Sequence, residues 1–257
     1  MATFRRLLVK SIQIRGKVLG DKKSLVCIPI TGSEMKQISK QIEEAVIYNP
    51  ELIEIRIDLW QSNLFEFISE FLLNIRNMAN ETPLLVTYRS KREGGLGNLE
   101  LKELLKLYSA ILESDIDMID FELSMGEVAL APLIEKAKDR NIITVLSYHN
   151  FNETPDNVTL MGKLVQAKLI GGDIGKIATM PKIKEDVLTL LSVTTKGYSE
   201  LDIPIITMSM GEMGKMSRIC GGFFGSFITF ASLPNQPSAP GQIEVSKLKQ
   251  ILKLIEK

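Results

Sequence analysis

The feature that most constrains the fold is a repeat of short apolar runs, each followed by an amphipathic stretch. The runs begin roughly thirty residues apart, which is the length of one strand and helix unit. They start near Leu25, Leu52, Leu84, Ile116, Ile142, Asp173, Ile203 and Phe224. Between them, apolar residues recur every three or four positions, which indicates helices. Seven or eight such units without a Pro/Gly/Ser-rich linker predict an α/β protein, a closed (β/α)8 TIM barrel that forms one domain over residues 1–257.

The N-terminal segment predicts a β-hairpin in front of this barrel. Residues 8–15 alternate between apolar and polar residues over part of their length, which is a strand pattern, and Gly16 and Gly20 supply turn signals. Five basic residues precede the first acid, Asp21, and this composition is also found in transit peptides. The alternation favours the hairpin, which we expect to cap the bottom of the barrel.

Composition excludes several classes of partner. The formal net charge is zero, so no overall field attracts nucleic acid or an anionic membrane. Apolar stretches are too short for a bilayer span. The two cysteines, Cys27 and Cys220, lie in apolar surroundings, which favours reduced core thiols in a cytoplasmic protein over a disulfide. With one histidine and no close pair of cysteines, we expect no metal site.

The second apolar run, residues 52–59, separates its isoleucines from its charges. The isoleucines share one face of a strand, and Glu54, Arg56 and Asp58 share the other. An exposed antiparallel strand explains this segment equally well when it is taken alone. Among parallel units, however, the isoleucines should meet the outer helices and the charges should point into the barrel, where they must pair or bind a polar molecule.

Polar residues and methionines lie at or near the ends of several other runs. They are Arg89, Asp120, Glu122, His149, Lys176, Met208 and Met210. Each has an ordinary structural explanation when considered singly, since strand-end charges are often paired and methionines often fill cores. Together they predict a convergence at the carboxyl ends of the strands, where catalysis occurs on this fold.

Lys176 and the only histidine, His149, predict the chemistry. Burying an ammonium without a partner costs several kcal/mol, so a lysine inside an apolar strand is hard to explain by packing. Burial and nearby arginines such as Arg89 would favour the neutral amine, which can attack a ketone. An imidazole beside it can then move protons, and Glu93 could orient that ring, although a solvated loop charge is an equal alternative. The pair predicts imine formation and β-elimination of water without a cofactor.

Several motifs resemble, in order, those of the type I 3-dehydroquinate dehydratase family of shikimate-pathway lyases. They lie at residues 91–95, 147–149, 176–181, 206–210, 217–218 and 238–242. A single motif of this kind is weak evidence for a family, but the ordered set is specific and spans essentially the whole chain. The resemblance implies a (β/α)8 barrel, usually a homodimer. It also implies syn elimination of water from 3-dehydroquinate to give 3-dehydroshikimate through a lysine Schiff base.

The resemblance also implies a role for each matching residue. Lys176 corresponds to the Schiff-base lysine, His149 to the general acid/base, and Glu93 to the carboxylate that orients the histidine. Substrate-binding positions are Glu54, Arg56, Arg89, Arg218, Ser238, Gln242, Met208 and Met210. Among them, Arg218 would hold the substrate carboxylate, and the two methionines would wall the ring. The loop at residues 233–241 would act as a lid.

Two other functions stay open at this stage. Another Schiff-base barrel, such as a class I aldolase-type enzyme acting on a sugar phosphate, would use the same lysine, and Gly221 and Gly222 hint at a phosphate site near the last strands. A non-catalytic protein that binds a sugar acid on a barrel scaffold is the third possibility. It would bind its ligand without turnover and would tolerate the change Lys176→Met.

Overall fold

A computed structural model describes residues 11–15, 17–19 and 24–255. The strands are β1 (Ile12–Ile14), β2 (Lys17–Leu19), β3 (Leu25–Ile30), β4 (Leu52–Arg56), β5 (Leu84–Thr87), β6 (Met118–Glu122), β7 (Ile143–Asn150), β8 (Ile174–Thr179), β9 (Ile205–Ser209), β10 (Ile228–Ser232) and β11 (Ile243–Glu244). The helices are α1 (Met35–Ile47), α2 (Ile68–Ala79), α3 (Leu101–Ile111), α4 (Glu127–Asp139), α5 (Asn157–Leu169), α6 (Lys184–Glu200), α7 (Gly211–Phe224) and α8 (Val245–Ile255). Within these ranges, no helix is long and apolar enough to cross a membrane.

Strands β3 to β10 form a closed parallel barrel with the helices outside it. From β3 to β9, each strand pairs in parallel with the next one along the chain, and β10 returns to pair with β3. Between β9 and β10, Ile205 forms a parallel bridge with Ser226, and its carbonyl accepts a hydrogen bond of 2.8 Å from the backbone N–H of Phe227. The predicted (β/α)8 barrel is therefore confirmed.

The alternation along β4 decides which side chains face the interior. Ile53 and Ile55 pack in the cluster that contains Ile38 and Ile42 of α1, outside the sheet. Leu52 belongs instead to the inner cluster formed by residues of the strands. Because β4 pairs in parallel on both sides, the exposed antiparallel alternative is wrong for this run. The charges of β4 therefore point into the barrel, as predicted.

The hairpin at the N-terminus is confirmed for its described part. Strands β1 and β2 pair antiparallel, and Ile14 is buried in the inner cluster with Leu25 and Leu52, close to the amino ends of the strands. The hairpin therefore closes the bottom of the barrel, at the face opposite to the one where the sequence predicts catalysis. Residues 1–10, where part of the predicted alternation falls, lie outside the described residues.

The prediction for the last strand is wrong in its starting point. Phe224 ends α7 rather than beginning a strand, and β10 begins at Ile228. Gly225, with φ of 108°, adopts the left-handed conformation that terminates the helix. Gly221 and Gly222 lie inside α7, so they do not form the glycine loop on which the suggested phosphate site depended.

The hairpin is tied to the barrel by a partly buried group of charges around Asp117. One oxygen of Asp117 accepts a hydrogen bond from Nε of Arg15 at 2.7 Å. The other accepts from Nη2 of Arg76 at 2.5 Å and from the backbone N–H of Leu84 at 2.8 Å. Arg76 is also buried, so the carboxylate neutralises a guanidinium that is largely removed from water.

Replacing this carboxylate should cost stability. We expect Asp117→Ala to lower the free energy of unfolding by about 3 to 5 kcal/mol, because a buried charge loses its partner. Asp115→Ala is the matched control, since Asp115 pairs with Arg15 at 2.6 Å but is mostly exposed. That variant should lose about 1 kcal/mol or less. Denaturant titration measures both, and equal losses would contradict a specific role for the buried carboxylate.

Candidate active site

A cavity opens at the carboxyl ends of the barrel strands. All residues predicted for the site line it, namely Glu54, Arg56, Arg89, Glu93, His149, Lys176, Met208, Met210, Arg218, Ser238 and Gln242. Its walls also contain residues without a predicted role, namely Thr87, Gly94, Phe151, Ala178, Phe230, Ala239 and Pro240. The mixture of a few charged groups with apolar side chains is typical of sites that bind small molecules.

Lys176 lies at the floor of the cavity and is only 4% exposed. Its Nζ donates a hydrogen bond of 2.9 Å to Oδ2 of Asp120 and lies 3.7 Å from Oε1 of Glu54. The same nitrogen lies 4.8 Å from the centre of the Phe230 ring. From the sequence, burial and nearby arginines were expected to dominate the surroundings of the Lys176 amine. In the structure, the nearest charged group is the carboxylate of Asp120.

Asp120 was predicted from the sequence to lie near the end of a strand, but no role was assigned to it. It lies on β6 and is completely buried. Its Oδ1 accepts a hydrogen bond from Oγ of Ser147 at 2.6 Å and lies 2.8 Å from Nη2 of Arg89. Burial alone would raise the pKa of Asp120, but Arg89 and Lys176 hold the pKa below its usual range. The signal that could have identified it is a charge between apolar neighbours at an inward-facing strand position, as at Glu54.

His149, at the end of β7, is paired with Glu93. The Nδ1 atom of the ring lies 2.9 Å from Oε2 of Glu93, and the backbone N–H of His149 donates to the same oxygen at 3.0 Å. Burial, followed by the charges of Arg89 and Lys176, lowers the pKa of His149 well below its usual value. Burial and the carboxylate of Glu122 raise the pKa of Glu93 to about 8. Both shifts favour the uncharged forms, so the imidazole has a lone pair with which to accept a proton.

Arg89 lines the cavity, but its guanidinium is already bound by protein groups. Its Nη1 donates hydrogen bonds of 2.9 Å to Oε1 of Glu122 and to Oγ of Ser147, and lies 3.6 Å from Oε2 of Glu93. With Asp120 on Nη2, these contacts place Arg89 at the centre of a network of carboxylates beneath the cavity. Its substrate contact stays a prediction.

The two charged residues of β4 are each held by a neighbour. Oε1 of Glu54 accepts a hydrogen bond of 2.8 Å from Oγ1 of Thr87 on β5. Arg56 donates two hydrogen bonds of 2.8 Å to the carboxylate of Asp58, one from Nε and one from Nη2. A paired arrangement of this kind fixes the direction of the guanidinium. Both side chains are therefore held in place at the cavity wall.

Arg218 differs from the other cations of the cavity because no carboxylate of residues 11–15, 17–19 or 24–255 forms an ion pair with it. It is 2% exposed, Nη1 lies 3.7 Å from Sδ of Met208, and Nη2 donates to the carbonyl oxygen of Pro240 at 3.2 Å. Its buried Nε has no hydrogen-bond partner among the described residues. Burial lowers the pKa of Arg218 to about 10. A buried cation without a counter-charge favours an anionic ligand, and a carboxylate fits a guanidinium with two parallel hydrogen bonds.

The predicted lid segment lies against the cavity. Gln242 accepts a hydrogen bond of 2.7 Å from the backbone N–H of Ser238 and donates one of 2.8 Å to its Oγ. Near the start of the segment, the side chain of Gln236 accepts a hydrogen bond of 2.6 Å from Gln41 of α1. The backbone N–H of Gly211 donates to the carbonyl oxygen of Pro240 at 3.1 Å. These contacts hold the segment at the mouth of the cavity; its opening and closing stay a prediction.

Comparison with known proteins gives a consistent result. The family model described as type I 3-dehydroquinase matches residues 26–257. The 3-dehydroquinate dehydratase of Geobacillus sp. (strain WCH70) is 40% identical over 252 residues, which is 96% of each chain. The chain is thus similar to this enzyme over nearly the full length of both.

Solved structures agree with the sequence comparison. The crystal structure of 3-dehydroquinate dehydratase from Geobacillus kaustophilus HTA426 superposes with a TM-score of 0.92, with 38% identity and 96% of each chain covered. The type I 3-dehydroquinate dehydratase from Clostridium difficile, solved with covalently modified comenic acid, gives a TM-score of 0.93. It is 33% identical, and the match covers 97% of this chain and 99% of that one.

Proposed function

Because this chain belongs to the type I 3-dehydroquinase family and dehydrates 3-dehydroquinate, we propose that the reaction proceeds through an imine formed by Lys176. The observation that carries this proposal is the position of Lys176 in the same cavity as His149, with Glu93 bound to the imidazole. An amine at the floor of this cavity can condense with a ketone, and the imidazole beside it can move the protons of the elimination.

The first stage is condensation. The nitrogen of Lys176 attacks the carbonyl carbon of the substrate, and the carbinolamine loses the former carbonyl oxygen as water. From ammonium and ketone, the products are an iminium and one water molecule, so the positive charge stays on the same nitrogen. The iminium withdraws electrons and acidifies the adjacent C–H bond, which is the purpose of covalent catalysis by an amine.

The second stage is elimination, for which we assign His149 as the general acid and base. The neutral imidazole removes the proton next to the iminium, and the electron pair of that C–H bond moves towards the nitrogen to give an enamine. The protonated ring then gives its proton to the departing hydroxyl group, which leaves as water from the same face. Hydrolysis of the conjugated iminium returns the amine of Lys176 and releases the enone. The low pKa of His149 supports this role, because the ring begins the cycle neutral.

The polar wall of the cavity supports recognition of an anionic, hydroxylated ring. We assign the substrate carboxylate to Arg218, whose buried Nε has no hydrogen-bond partner in the described part of the chain. Glu54, Arg56 and Gln242 are assigned to hydroxyl groups. Met208 and Met210, both buried at the wall, provide an apolar contact for the ring.

Ultraviolet absorbance tests the activity directly. Incubation of the protein with 3-dehydroquinate should produce a conjugated enone, which absorbs where the substrate does not. Cleavage of a phosphorylated sugar without enone formation would favour the aldolase-type alternative. Binding of 3-dehydroquinate without any turnover would favour a non-catalytic binding protein.

Arg218 is tested by separating substrate binding from turnover. We expect Arg218→Met to raise KM roughly 100-fold, because the two charge-assisted hydrogen bonds to the carboxylate are lost. The value of kcat should change less, since Arg218 does not contact the reacting carbon in this proposal. Steady-state kinetics measures both quantities, and an unchanged KM would remove the carboxylate assignment.

We also propose that the protein acts as a homodimer, with α7 contributing to the contact. Met213, Met216 and Phe223 are exposed, and Phe223 is 87% exposed. With Cys220 between them, their spacing places them on one face of the helix. An apolar stripe of this kind is commonly covered by another protein surface. The cytoplasmic location of the protein stays a prediction.

Light scattering tests the dimer. The wild-type protein should have about twice the chain mass of 28.7 kDa. Combining Met216→Lys with Phe223→Lys should yield a monomer, because charges would be buried at the contact. Val128→Lys is the control, since Val128 is 92% exposed on α4, and it should leave the mass unchanged. A monomeric wild type, or a double variant that remains dimeric, would contradict this surface.

A further inference from the structure

The carboxylate nearest to the reacting nitrogen belongs to Asp120, which has no role in the function proposed above. Its Oδ2 lies 2.9 Å from Nζ of Lys176, closer than Glu54 at 3.7 Å. Its Oδ1 is held by Ser147 at 2.6 Å and by Arg89 at 2.8 Å. Because three neighbours fix one buried carboxylate, the direction of Oδ2 towards the lysine nitrogen is determined before any ligand binds.

Several charged groups and one aromatic ring surround Nζ of Lys176. The titratable or charged groups around Lys176 are Cys27 on β3, Glu54 on β4, Arg89 on β5, Asp120 on β6 and His149 on β7. Strand β10 adds the ring of Phe230, whose face attracts a cation. Arg89 shares Asp120 with Lys176 and is also paired with Glu122 at 2.9 Å, and the low pKa of His149 keeps that ring neutral. Asp120 is therefore the anion that acts most directly on Nζ.

Imine formation conserves the charge that Asp120 faces. Ammonium and ketone give iminium and water, so the nitrogen is positive at the start and after condensation. A carboxylate 2.9 Å away stabilises both of these states, whereas it opposes the neutral amine between them. Its own proton affinity is low, since the pKa of Asp120 lies below its usual range. It therefore stays charged and does not compete for the protons that are transferred.

We propose that Asp120 is a positioning residue for the imine chemistry, paired with the Lys176 nitrogen as ammonium before condensation and as iminium after it. This inference rests on the proposed function, because it needs an imine at Lys176. It predicts two opposite effects of removing the charge. The acid limb of the pH profile moves to lower pH, since His149 loses a nearby anion, and the iminium intermediate loses its counter-charge.

The variant Asp120→Asn tests both effects with little change of shape. The acid limb of the pH profile of kcat/KM should move to lower pH, because the imidazole of His149, whose pKa the charge of Asp120 raises, loses that nearby anion. The plateau value of kcat should fall roughly 100-fold, since the iminium is no longer stabilised. A purely structural role would lower activity without moving the acid limb.

Glu122→Gln is the matched control. Glu122 lies on the same strand, is also buried, and binds the same arginine at 2.9 Å, but it does not contact Lys176. The acid limb of the pH profile of Glu122→Gln should move less than half as far as that of Asp120→Asn. Equal shifts in the two variants would mean that the whole network sets the profile, and they would overturn the specific role of Asp120.

Borohydride trapping with the wild-type protein distinguishes failure of this inference from failure of the proposed function. Borohydride treatment with 3-dehydroquinate should attach the ligand at Lys176 in the wild type, and absence of the adduct would remove the imine and this role together. With that adduct present, an unmoved acid limb in Asp120→Asn overturns the role of Asp120 alone. If Asp120→Asn does not fold, Asp120→Ser removes the same charge with a smaller side chain. The displacement of its acid limb is then compared with that of Glu122→Gln in the same way.

Discussion

Lys176→Met should abolish dehydration of 3-dehydroquinate, with a loss of kcat on the order of 10⁴-fold or more. Methionine fills a similar volume but carries no amine, so the ketone cannot be converted into an electron-withdrawing iminium. The fold should survive, because Asp120 keeps its contacts with Arg89 and Ser147 when the lysine is removed. Enone absorbance measures the loss, and circular dichroism shows whether the variant is folded.

Lys182→Met is the control for this experiment. Lys182 follows the same strand on a surface loop, and its side chain is 64% exposed. That variant should retain wild-type turnover. A folded Lys176→Met protein with more than a trace of activity would show that water elimination proceeds without the amine, and the imine mechanism would have to be abandoned.

His149→Ala has the second-largest expected effect, and its character is different. The amine remains, so the imine should still form and should still be trapped by borohydride. Turnover should fall by roughly 10² to 10⁴-fold, which is the usual contribution of a positioned acid and base. The variant thereby separates condensation from proton transfer.

Two measurements on His149→Ala check this separation. Mass spectrometry should find the reduced adduct at Lys176, while enone formation is slow. Turnover at the wild-type rate in the purified variant would refute the acid and base assignment. Loss of the adduct together with turnover would instead mean that His149 is needed for condensation itself.

The period of the apolar runs was sufficient to predict the barrel. Parallel strands are buried on both faces, so a charge within such a run stands out, and Glu54, Arg56 and Lys176 were identified for this reason. Strand ends then predicted which side chains share one face, since carboxyl ends of parallel strands meet at the same edge. All the residues assigned to the site line one cavity, although their individual roles stay predictions.

The pairing of the charges could not be predicted, because it depends on distances between strands that are far apart in sequence. Asp120 lies 56 residues before Lys176, yet its carboxylate is the closest partner of the amine. Arg89 was identified as a site residue, but the carboxylates that bind its guanidinium were not predicted. Spacing along the chain shows that these side chains point inward, but it does not show which of them will pair.

The boundary at Phe224 was missed for a local reason. Phe224 and Phe227 flank Gly225 and Ser226, and an apolar sequence of this length suits a strand as well as the end of a helix. Gly225, with its positive φ, ends α7 and directs the chain into β10. A glycine following an apolar helical pattern is a C-cap signal, and giving it more weight would have corrected the prediction.

Trapping of the imine tests the central claim most directly. Wild-type protein is incubated with 3-dehydroquinate, reduced with borohydride and digested, and the modified peptide is identified by mass spectrometry. We expect a ligand-derived adduct on the side chain of Lys176, absent when borohydride or 3-dehydroquinate is omitted. Active enzyme that yields an unmodified Lys176 peptide under the same conditions would contradict the mechanism.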